Sequence, residues 1–425
     1  MPWDAIAIAA APALDRRTLA AALVTGLAAL VALRLWQGED YWTYSEGVYA
    51  LTARLFLHGA DLYGTTAAAQ PPGVFVVGAG ILALHDSLEF LRLCIGLIQL
   101  GGGMIAAVVA WRLSGSRAAA VAAPALLLLT PWAVHEHGSL TPEPVAVPLL
   151  LGGALLVSRP ATAAPGGALA ALAIGFKLPF LAPAIGIVAC ASDRRRAALG
   201  AGGALVVMVG AGLAVFGSGL VRDVITAQLR GGRHALGALP GFVAQAGWNL
   251  AGLLPAALLL VRTRTRDPAL ARAWLGLTVG LLATLLTIAK LGTALNILVP
   301  VEAALAPVAL AVAVRWRRLG AVALAFVLVQ TVALVAFPAR TIFPFVRPLS
   351  ERGAWGRQAD AAQVRRLAAA ARACPPGIAY SGEPFVAFMA HRRPPGGQPD
   401  LFLVPRSPVL ARERRAVAAD RERCP

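Results

Sequence analysis

The chain has 425 residues, of which 58% are hydrophobic and 14% are charged, and its mean hydropathy is +0.71. Soluble globular domains usually contain about 25% charged residues, so this composition excludes a soluble enzyme and indicates a polytopic membrane protein. The formal net charge of +17 does not call for nucleic acid as a partner, because Lys and Arg collect in the cytoplasmic loops of membrane proteins.

The first apolar run covers residues 19–35 and follows the basic flank at Arg16 and Arg17. This flank predicts an N-terminus inside the cell. Because Glu39 and Asp40 follow the run directly, with no small-residue cleavage site, we expect a membrane span and not a cleaved signal peptide.

About ten further spans are expected, since roughly 20 apolar residues cross the hydrocarbon of a bilayer. They are predicted at 73–84, 91–111, 118–134, 144–158, 166–191, 198–216, 241–261, 272–289, 294–314 and 319–337. The sequence thus predicts an all-α polytopic membrane protein with about 11 transmembrane helices.

This arrangement places the C-terminus outside the cell and the basic clusters at 193–196, 262–266 and 315–318 in the cytoplasm. Those three clusters agree with the positive-inside rule. Arg112 and Arg117 fall on the outer side, which conflicts with the rule.

The composition changes after Pro338, where Arg, Pro and Glu become frequent. We therefore divide the chain into a transmembrane part, 1–337, and a small extracytoplasmic α+β appendage, 338–425. Within the appendage, helices are expected at 358–373 and 384–390, and strands at 377–381 and 400–404.

Four cysteines are too few for a disulfide framework. Cys94 and Cys190 lie in apolar runs and are expected to be buried thiols. Cys374 and Cys424 both lie in the appendage and are able to pair if that segment is outside the cell.

The first external loop, 36–72, holds three carboxylates among aromatic residues: Glu39, Asp40 and Glu46. Glycosyl transfer from a lipid phosphate needs a carboxylate to deprotonate the acceptor hydroxyl, and a cation to hold the departing phosphate. The alternative is that these polar residues only cap a span. The pattern at 48–58 predicts a short helix at the membrane surface.

Three short motifs follow one another in this loop. They are Ser45-Glu46-Gly47-Val48-Tyr49-Ala50-Leu51-Thr52-Ala53-Arg54, His58-Gly59-Ala60-Asp61-Leu62-Tyr63 and Gln70-Pro71-Pro72-Gly73. Together they resemble the first external loop of GT-C superfamily glycosyltransferases, in the bacterial branch of protein O-mannosyltransferases and aminoarabinose transferases. In that family the Asp of an Asp-Glu pair is the usual base. Ser45 stands at its position here, so the resemblance leaves Glu46, with Asp40 as the alternative, as the catalytic carboxylate.

Later segments resemble the same family in the same order: 87–93, 139–144, 173–179 and 290–300. The resemblance and the charge pattern together suggest a set of substrate-binding residues: Glu39, Arg54, Gln70, Glu143, Lys177, Lys290 and Asn296. Lys290 is expected to hold lipid phosphate, or else to snorkel to the interface. Lys177 is expected to pair with Glu143 structurally, or to belong to the functional site.

His135, Glu136 and His137 have the side chains of metal ligands, but positions i and i+2 on a helix point to different faces. No metal is required, since Lys and Arg neutralise a phosphate, although a divalent ion remains possible. No nucleotide-binding motif is present.

The sequence therefore predicts a glycosyltransferase of the cell envelope. It would transfer a sugar from a polyprenyl-phosphate donor, a membrane lipid, to an extracytoplasmic glycan or protein hydroxyl. Two alternatives stay open: a catalytically degenerate GT-C relative that binds a lipid-linked glycan or a partner protein, and a lipid or solute transporter.

Overall fold

The computed structural model describes residues 13–37, 44–230, 239–254, 265–289, 295–336, 361–375, 377–401, 403–420 and 423–424. Helices dominate this part of the chain. They are α1 Arg16–Gln37, α2 Tyr44–Leu57, α3 Gly73–Leu84, α4 Leu88–Ser114, α5 Arg117–Leu128, α6 Pro131–His135, α7 Pro142–Val157, α8 Ala163–Leu172, α9 Leu181–Ala189, α10 Arg194–Phe216, α11 Gly219–Val221, α12 Ala227–Arg230, α13 Leu239–Leu250, α14 Pro268–Thr284, α15 Leu298–Arg315, α16 Arg317–Ala336, α17 Ala361–Ala373, α18 Pro384–Met389, α19 Leu403–Arg406 and α20 Ala411–Ala419.

Short 3₁₀ turns and one π-helical turn connect several of these helices. The 3₁₀ turns are Pro160–Thr162, Ala173–Gly175, Leu178–Phe180, Leu285–Ala289, Leu295–Ile297 and Pro395–Gly397, and the π turn is Arg222–Thr226. Two short strands, β1 Ala379–Tyr380 and β2 Arg423–Cys424, pair in parallel with Ala379 opposite Arg423.

Capping side chains set the start of the long helices. Ser87 accepts a hydrogen bond from the Phe90 amide at 3.2 Å and begins α4, and Asp193 does the same for α10 through the Arg196 amide at 3.0 Å. Asp267 begins α14 in the same way. At the other end of α4, Gly115 has a φ of 70°, a conformation that suits glycine and ends the helix.

Five helical segments within the described ranges are long and apolar enough to cross a membrane: Arg16–Leu35, Leu88–Ser114, Arg194–Phe216, Pro268–Thr287 and Leu298–Arg315. Shorter apolar helices, including α5, α7 and α9, pack between them. The protein is thus a multi-helix membrane protein, as predicted.

Helix α3, predicted as the second span, does not cross the bundle. It has 12 residues and is about 18 Å long, whereas the hydrocarbon is about 30 Å thick. It packs along α2, with Gly78 against Ala53. Both ends of α3 lie near one end of the bundle, because Gly73 abuts the Gly175 carbonyl and the segment after Leu84 contacts α2. One face of α3, which includes Phe75 and Leu82, is buried against protein.

The predicted span 166–191 is in fact two antiparallel helices, α8 and α9, joined at Lys177. Helix α8 runs parallel to α10, since Gly167 packs on Ala197 and Gly175 faces Met208. Met208 lies about 12 Å below Phe216, the last residue of α10. The turn between α8 and α9 is therefore recessed below the end of α10.

Because α3 does not span and residues 166–191 form two helices, the helices from α4 to α8 run in the direction opposite to the one predicted. Arg117 then lies beside Asp15, at 3.1 Å, at the beginning of α1. Arg112 likewise pairs with Asp267 at the beginning of α14. We call this side, which also carries Arg194–Arg196, the arginine end, and the opposite side, which carries α2, α3 and Lys177, the loop end.

The C-terminal segment packs on the loop end. Gly47 of α2 lies so close to the Phe385 backbone that no Cβ would fit there. Helix α18 matches the predicted helix at 384–390, but the strand expected at 400–404 is wrong, because residues 403–406 form α19 and Cys424 lies in the second strand. Cys374 and Cys424 form a disulfide. The boundary expected at 337/338 lies outside the described residues and stays a prediction.

Candidate functional site

Glu46 and Arg92 form a buried ion pair at the loop end. Glu46 lies in the first turn of α2, and Arg92 lies in the second turn of α4. Arg92 Nε donates to Oε1 at 2.8 Å and Nη2 donates to Oε2 at 2.6 Å. The side chain of Glu46 is 0% exposed, and the Phe385 ring lies 5.6 Å from the Arg92 guanidinium. Both carboxylate oxygens therefore face a cation inside the fold.

Arg54, on the last turn of α2, makes a second pair with Asp86. Its Nε and Nη2 lie 2.9 and 2.6 Å from Asp86 Oδ1. Its guanidinium also donates to the Phe388 carbonyl and stacks on the Phe388 ring at 3.6 Å. Arg54 thus connects α2, the segment before α4 and the C-terminal segment, and its substrate-binding role stays a prediction.

Lys177 and Glu143 form the third pair, in the recessed turn. Lys177 Nζ donates to Glu143 Oε1, and the two side chains are 10% and 0% exposed. Glu143 stands in the first turn of α7, and Glu143 Oε2 has no hydrogen-bond partner among the described residues. The pairing of these two residues was one of the two predicted possibilities, and the structure confirms it.

Tyr49, one helical turn after Glu46, lies close to this third pair. Burial raises the pKa of the Tyr49 phenol well above its usual value, and the charge of Glu143 raises it further. Gln70 also interacts with Tyr49. The first loop thus brings Tyr49 and Gln70, from two of its motifs, towards the Lys177 turn.

The segment leading to Gln70 is held by several long-range contacts. Tyr63 has a φ of 66°, which is uncommon for a side chain of this size, and its hydroxyl donates to the Gln70 carbonyl at 2.7 Å. Asp223 Oδ2 accepts from the Ala68 amide at 3.3 Å, and Gln398 Oε1 accepts from the Ala67 amide at 3.0 Å. The path of the chain into the site is therefore set by distant residues.

Asp223 and its neighbour Arg222 were not among the predicted site residues. Arg222 lies 2.6 Å from Asp223 and 3.1 Å from Glu413 of α20. Burial raises the pKa of Asp223, although the Arg222 charge opposes this shift. The sequence carried a signal for this role, because Arg222 and Asp223 are adjacent opposite charges in a short basic loop.

The turn between α6 and α7 lies beside Arg92, at the loop end. The His135 ring pairs with Glu136 at 3.1 Å, and Glu136 Oε2 accepts from Thr141 at 3.2 Å. His137 is buried, and neither of its ring nitrogens has a hydrogen-bond partner in the described part of the chain. Burial, together with the charges of Arg34 and Arg92, lowers the pKa of His137 to about 3.

The remaining predicted residues divide into two groups. Asn296 is described and lies buried in the 3₁₀ turn that precedes α15. Glu39, Asp40 and Lys290 lie outside the described residues. Within the described ranges, no group of three or more His, Cys, Asp or Glu side chains is arranged to hold a metal ion.

Fold and site together define a polytopic helical membrane protein, with a folded first loop above a recessed buried ion pair. The structure is similar to the crystal structure of ArnT, an aminoarabinose transferase, from Cupriavidus metallidurans bound to undecaprenyl phosphate. The TM-score is 0.58 at 16% identity, over 88% of this chain and 84% of that chain. The apo state of the same ArnT gives 0.59 and 17% over the same coverage.

At these identities the likeness establishes the fold, and it confirms at that level the resemblance seen in the loop motifs. The sequence itself matches no family model. No curated protein matches it either.

Proposed function

We propose that this protein is a membrane glycosyltransferase that takes a sugar from a polyprenyl-phosphate donor and passes it to a hydroxyl on an extracytoplasmic glycan or protein. The observation that carries the proposal is the shared fold, which extends over 88% of the chain and whose neighbour was crystallised with undecaprenyl phosphate. That ligand supports the proposed donor class, and the proposed side of the membrane supports an extracytoplasmic acceptor.

The loop end is assigned to the outside of the cell for two reasons. The disulfide Cys374–Cys424 lies at this end, and disulfides persist in oxidising compartments. The exposed arginines at the beginnings of α5 and α10 lie at the opposite end, as the positive-inside rule expects for the cytoplasm. The bacterial plasma membrane remains the proposed location.

The Lys177–Glu143 pair is the proposed place of the donor headgroup. Ionisable residues at membrane depth are costly and usually mark a substrate path. The ammonium group of Lys177 has three donors, and the structure assigns one of them to Glu143. Its charge is suited to the phosphate of a lipid donor, with Lys290 as a further predicted cation.

Asp40 is the proposed general base. A base must reach the proton that it removes, and Glu46 is buried with both oxygens on Arg92. Glu46 is therefore assigned a positioning role, which holds α2 against α4. Glu143 is the second candidate base, because one of its oxygens has no partner among the described residues. A divalent metal is not needed for this scheme and stays untested.

A second candidate function is the binding of a lipid-linked glycan without transfer. The burial of Glu46 and the presence of Ser45 at the family's usual acid position favour it. A transporter is the more distant alternative.

The decisive experiment measures sugar release from polyprenyl-phosphate sugars by the purified protein, for the wild type, Asp40→Asn and Glu143→Gln. General-base catalysis contributes about 10²–10⁴-fold, so the variant that lacks the base should lose turnover by at least 100-fold while it still binds donor. Ser45→Ala is a matched control in the same loop and should retain turnover.

The absence of turnover with every donor, while polyprenyl phosphate still binds, would favour the binding protein over the enzyme. Uptake of the lipid or solute into proteoliposomes without product formation would favour the transporter.

A further inference from the structure

A cavity of about 480 Å³ opens at the arginine end, far from the candidate site. Its walls come from the beginning of α1 and the first turns of α5. The lining residues are Asp15, Arg16, Arg17, Thr18, Ala21, Arg117 and Val121.

Three of these seven residues are arginines, and one is acidic. Asp15 is already used by the protein: its two oxygens accept from the Thr18 amide and hydroxyl, both at 2.9 Å. Hydrogen bonds from Thr18 accordingly lower the pKa of Asp15. Asp15 also meets Arg117 Nε at 3.1 Å, whereas Arg16 and Arg17 are exposed. The cavity therefore keeps an excess of about two positive charges.

The surroundings of the cavity are those of a membrane interface. Ala21 and Val121 form its apolar wall on the membrane side. Beyond them along α1, Leu23, Val24 and Leu27 are 41%, 64% and 38% exposed, although the helix is long and apolar enough to span a membrane. The polar part of an amphipathic ligand would contact guanidinium groups here, and its apolar part would contact the apolar face of α1.

We propose that this cavity binds the phosphodiester headgroup of an anionic phospholipid from the leaflet at the arginine end. A guanidinium group can donate two parallel hydrogen bonds to two oxygens of a phosphate. Basic pockets between helices on the cytoplasmic side bind acidic lipid headgroups. The volume is sufficient for a phosphoglycerol group. The site lies at the end opposite to the Lys177 turn, so it is separate from the proposed donor site.

The test is a titration of the full-length protein in neutral detergent with short-chain phosphatidylglycerol and, separately, with phosphatidylcholine. The variant R17Q/R117Q removes two of the three cavity arginines. The control R194Q/R195Q removes two exposed arginines from the beginning of α10, at the same end but outside the cavity.

The wild type and the control should bind phosphatidylglycerol with equal affinity, and R17Q/R117Q should bind it roughly 30-fold more weakly. Equal losses in the two variants would overturn the proposal, because binding would then follow the net charge of the surface. Equal affinity for the two lipids would also overturn it.

Inorganic phosphate and soluble glycerol phosphate form the last arm of the test. Neither should displace the lipid at millimolar concentration, because they lack the acyl chains that meet α1. Displacement by either would show that the cavity is a site for free anions and would contradict the assignment to lipid.

Discussion

The two ends of the helical bundle hold their charges in different ways. At the loop end, the side chains of Glu46 and Arg92 are 0% and 3% exposed, and the two residues lie 46 positions apart in the sequence. At the arginine end, Arg117 and Asp15 are 73% and 39% exposed. Arg196 and Asp193, 61% and 31% exposed, are neighbours on one helix turn.

This difference has an energetic meaning. A buried pair is strongly destabilised when one partner is removed, whereas an exposed pair contributes about 0–1 kcal/mol. The charges of the loop end therefore belong to the tertiary structure, and those of the arginine end remain available to water and lipid headgroups. Arg112–Asp267 is an exception among the described residues, because it joins α4 to α14 at the arginine end with 9% and 15% exposure.

The largest expected effect is that of Arg92→Met. It removes the guanidinium that donates to both oxygens of the buried Glu46, so the free energy of unfolding should fall by about 3–5 kcal/mol. Denaturant unfolding in detergent micelles, followed through helix content, measures this loss.

The double variant Glu46→Leu/Arg92→Met removes both charges and should recover most of the stability. If the single variant were as stable as the wild type, the loop-end pair would be energetically equivalent to a surface pair and the contrast between the two ends would disappear.

Loss of the disulfide comes next. The Cys374→Ala/Cys424→Ala variant releases a closed loop with a sequence separation of 50, which should cost about 2–4 kcal/mol. The effect should be confined to the C-terminal segment and appear as faster limited proteolysis between 361 and 424.

Cys94→Ala is the matched control for this variant, because Cys94 is a free thiol in α4. If the disulfide variant were cleaved no faster than the wild type and Cys94→Ala, the C-terminal segment would be held to α2 by its packing alone.

The third effect depends on pH and involves His137. Its pKa in the folded protein is about 3, below the ordinary 6.5, so the unfolded state takes up the proton first. Stability should therefore decrease as the pH falls from 6.5 towards 3, by at most about 1.4 kcal/mol per pH unit from this group.

His137→Gln should remove this part of the pH dependence, while other groups continue to titrate. The comparison of unfolding midpoints for the two proteins between pH 7 and 4.5 isolates the His137 contribution. Parallel curves would show that His137 is accessible to protons in the folded state.

The smallest effect is expected for Arg117→Gln. Its pair with Asp15 is exposed, so the unfolding free energy should change by less than about 1 kcal/mol, and less still at high salt. A loss as large as that of Arg92→Met would place Arg117 in a structural role and weaken its assignment to the lipid cavity.

Much of the helical architecture was predictable because apolar length and capping residues are local properties. The expected spans 19–35 and 198–216 lie within α1 and α10, and the surface helix expected at 48–58 overlaps α2. Hydropathy failed at 73–84 and 166–191, since it reports apolar surroundings and not the direction of the chain. Helix α3 is apolar but too short to span, and one of its faces packs on α2.

Part of the site was also predictable from local properties of the sequence. The pairing of Lys177 with Glu143 was one of two expectations, because an unpaired charge among apolar helices is costly. Nothing local in the sequence indicated that Arg92 would take both oxygens of Glu46, or that Asp223 and Gln398 would hold the chain before Gln70.

By itself, the sequence determined that this is a polytopic helical membrane protein with a structured polar first loop, because composition and periodicity report the solvent around each segment. Only the tertiary structure decided which end each loop occupies, that Glu46 is enclosed by Arg92, and that Lys177 lies in a recess. Those outcomes depend on contacts between residues far apart in the chain, and short-range patterns carry no information about such contacts.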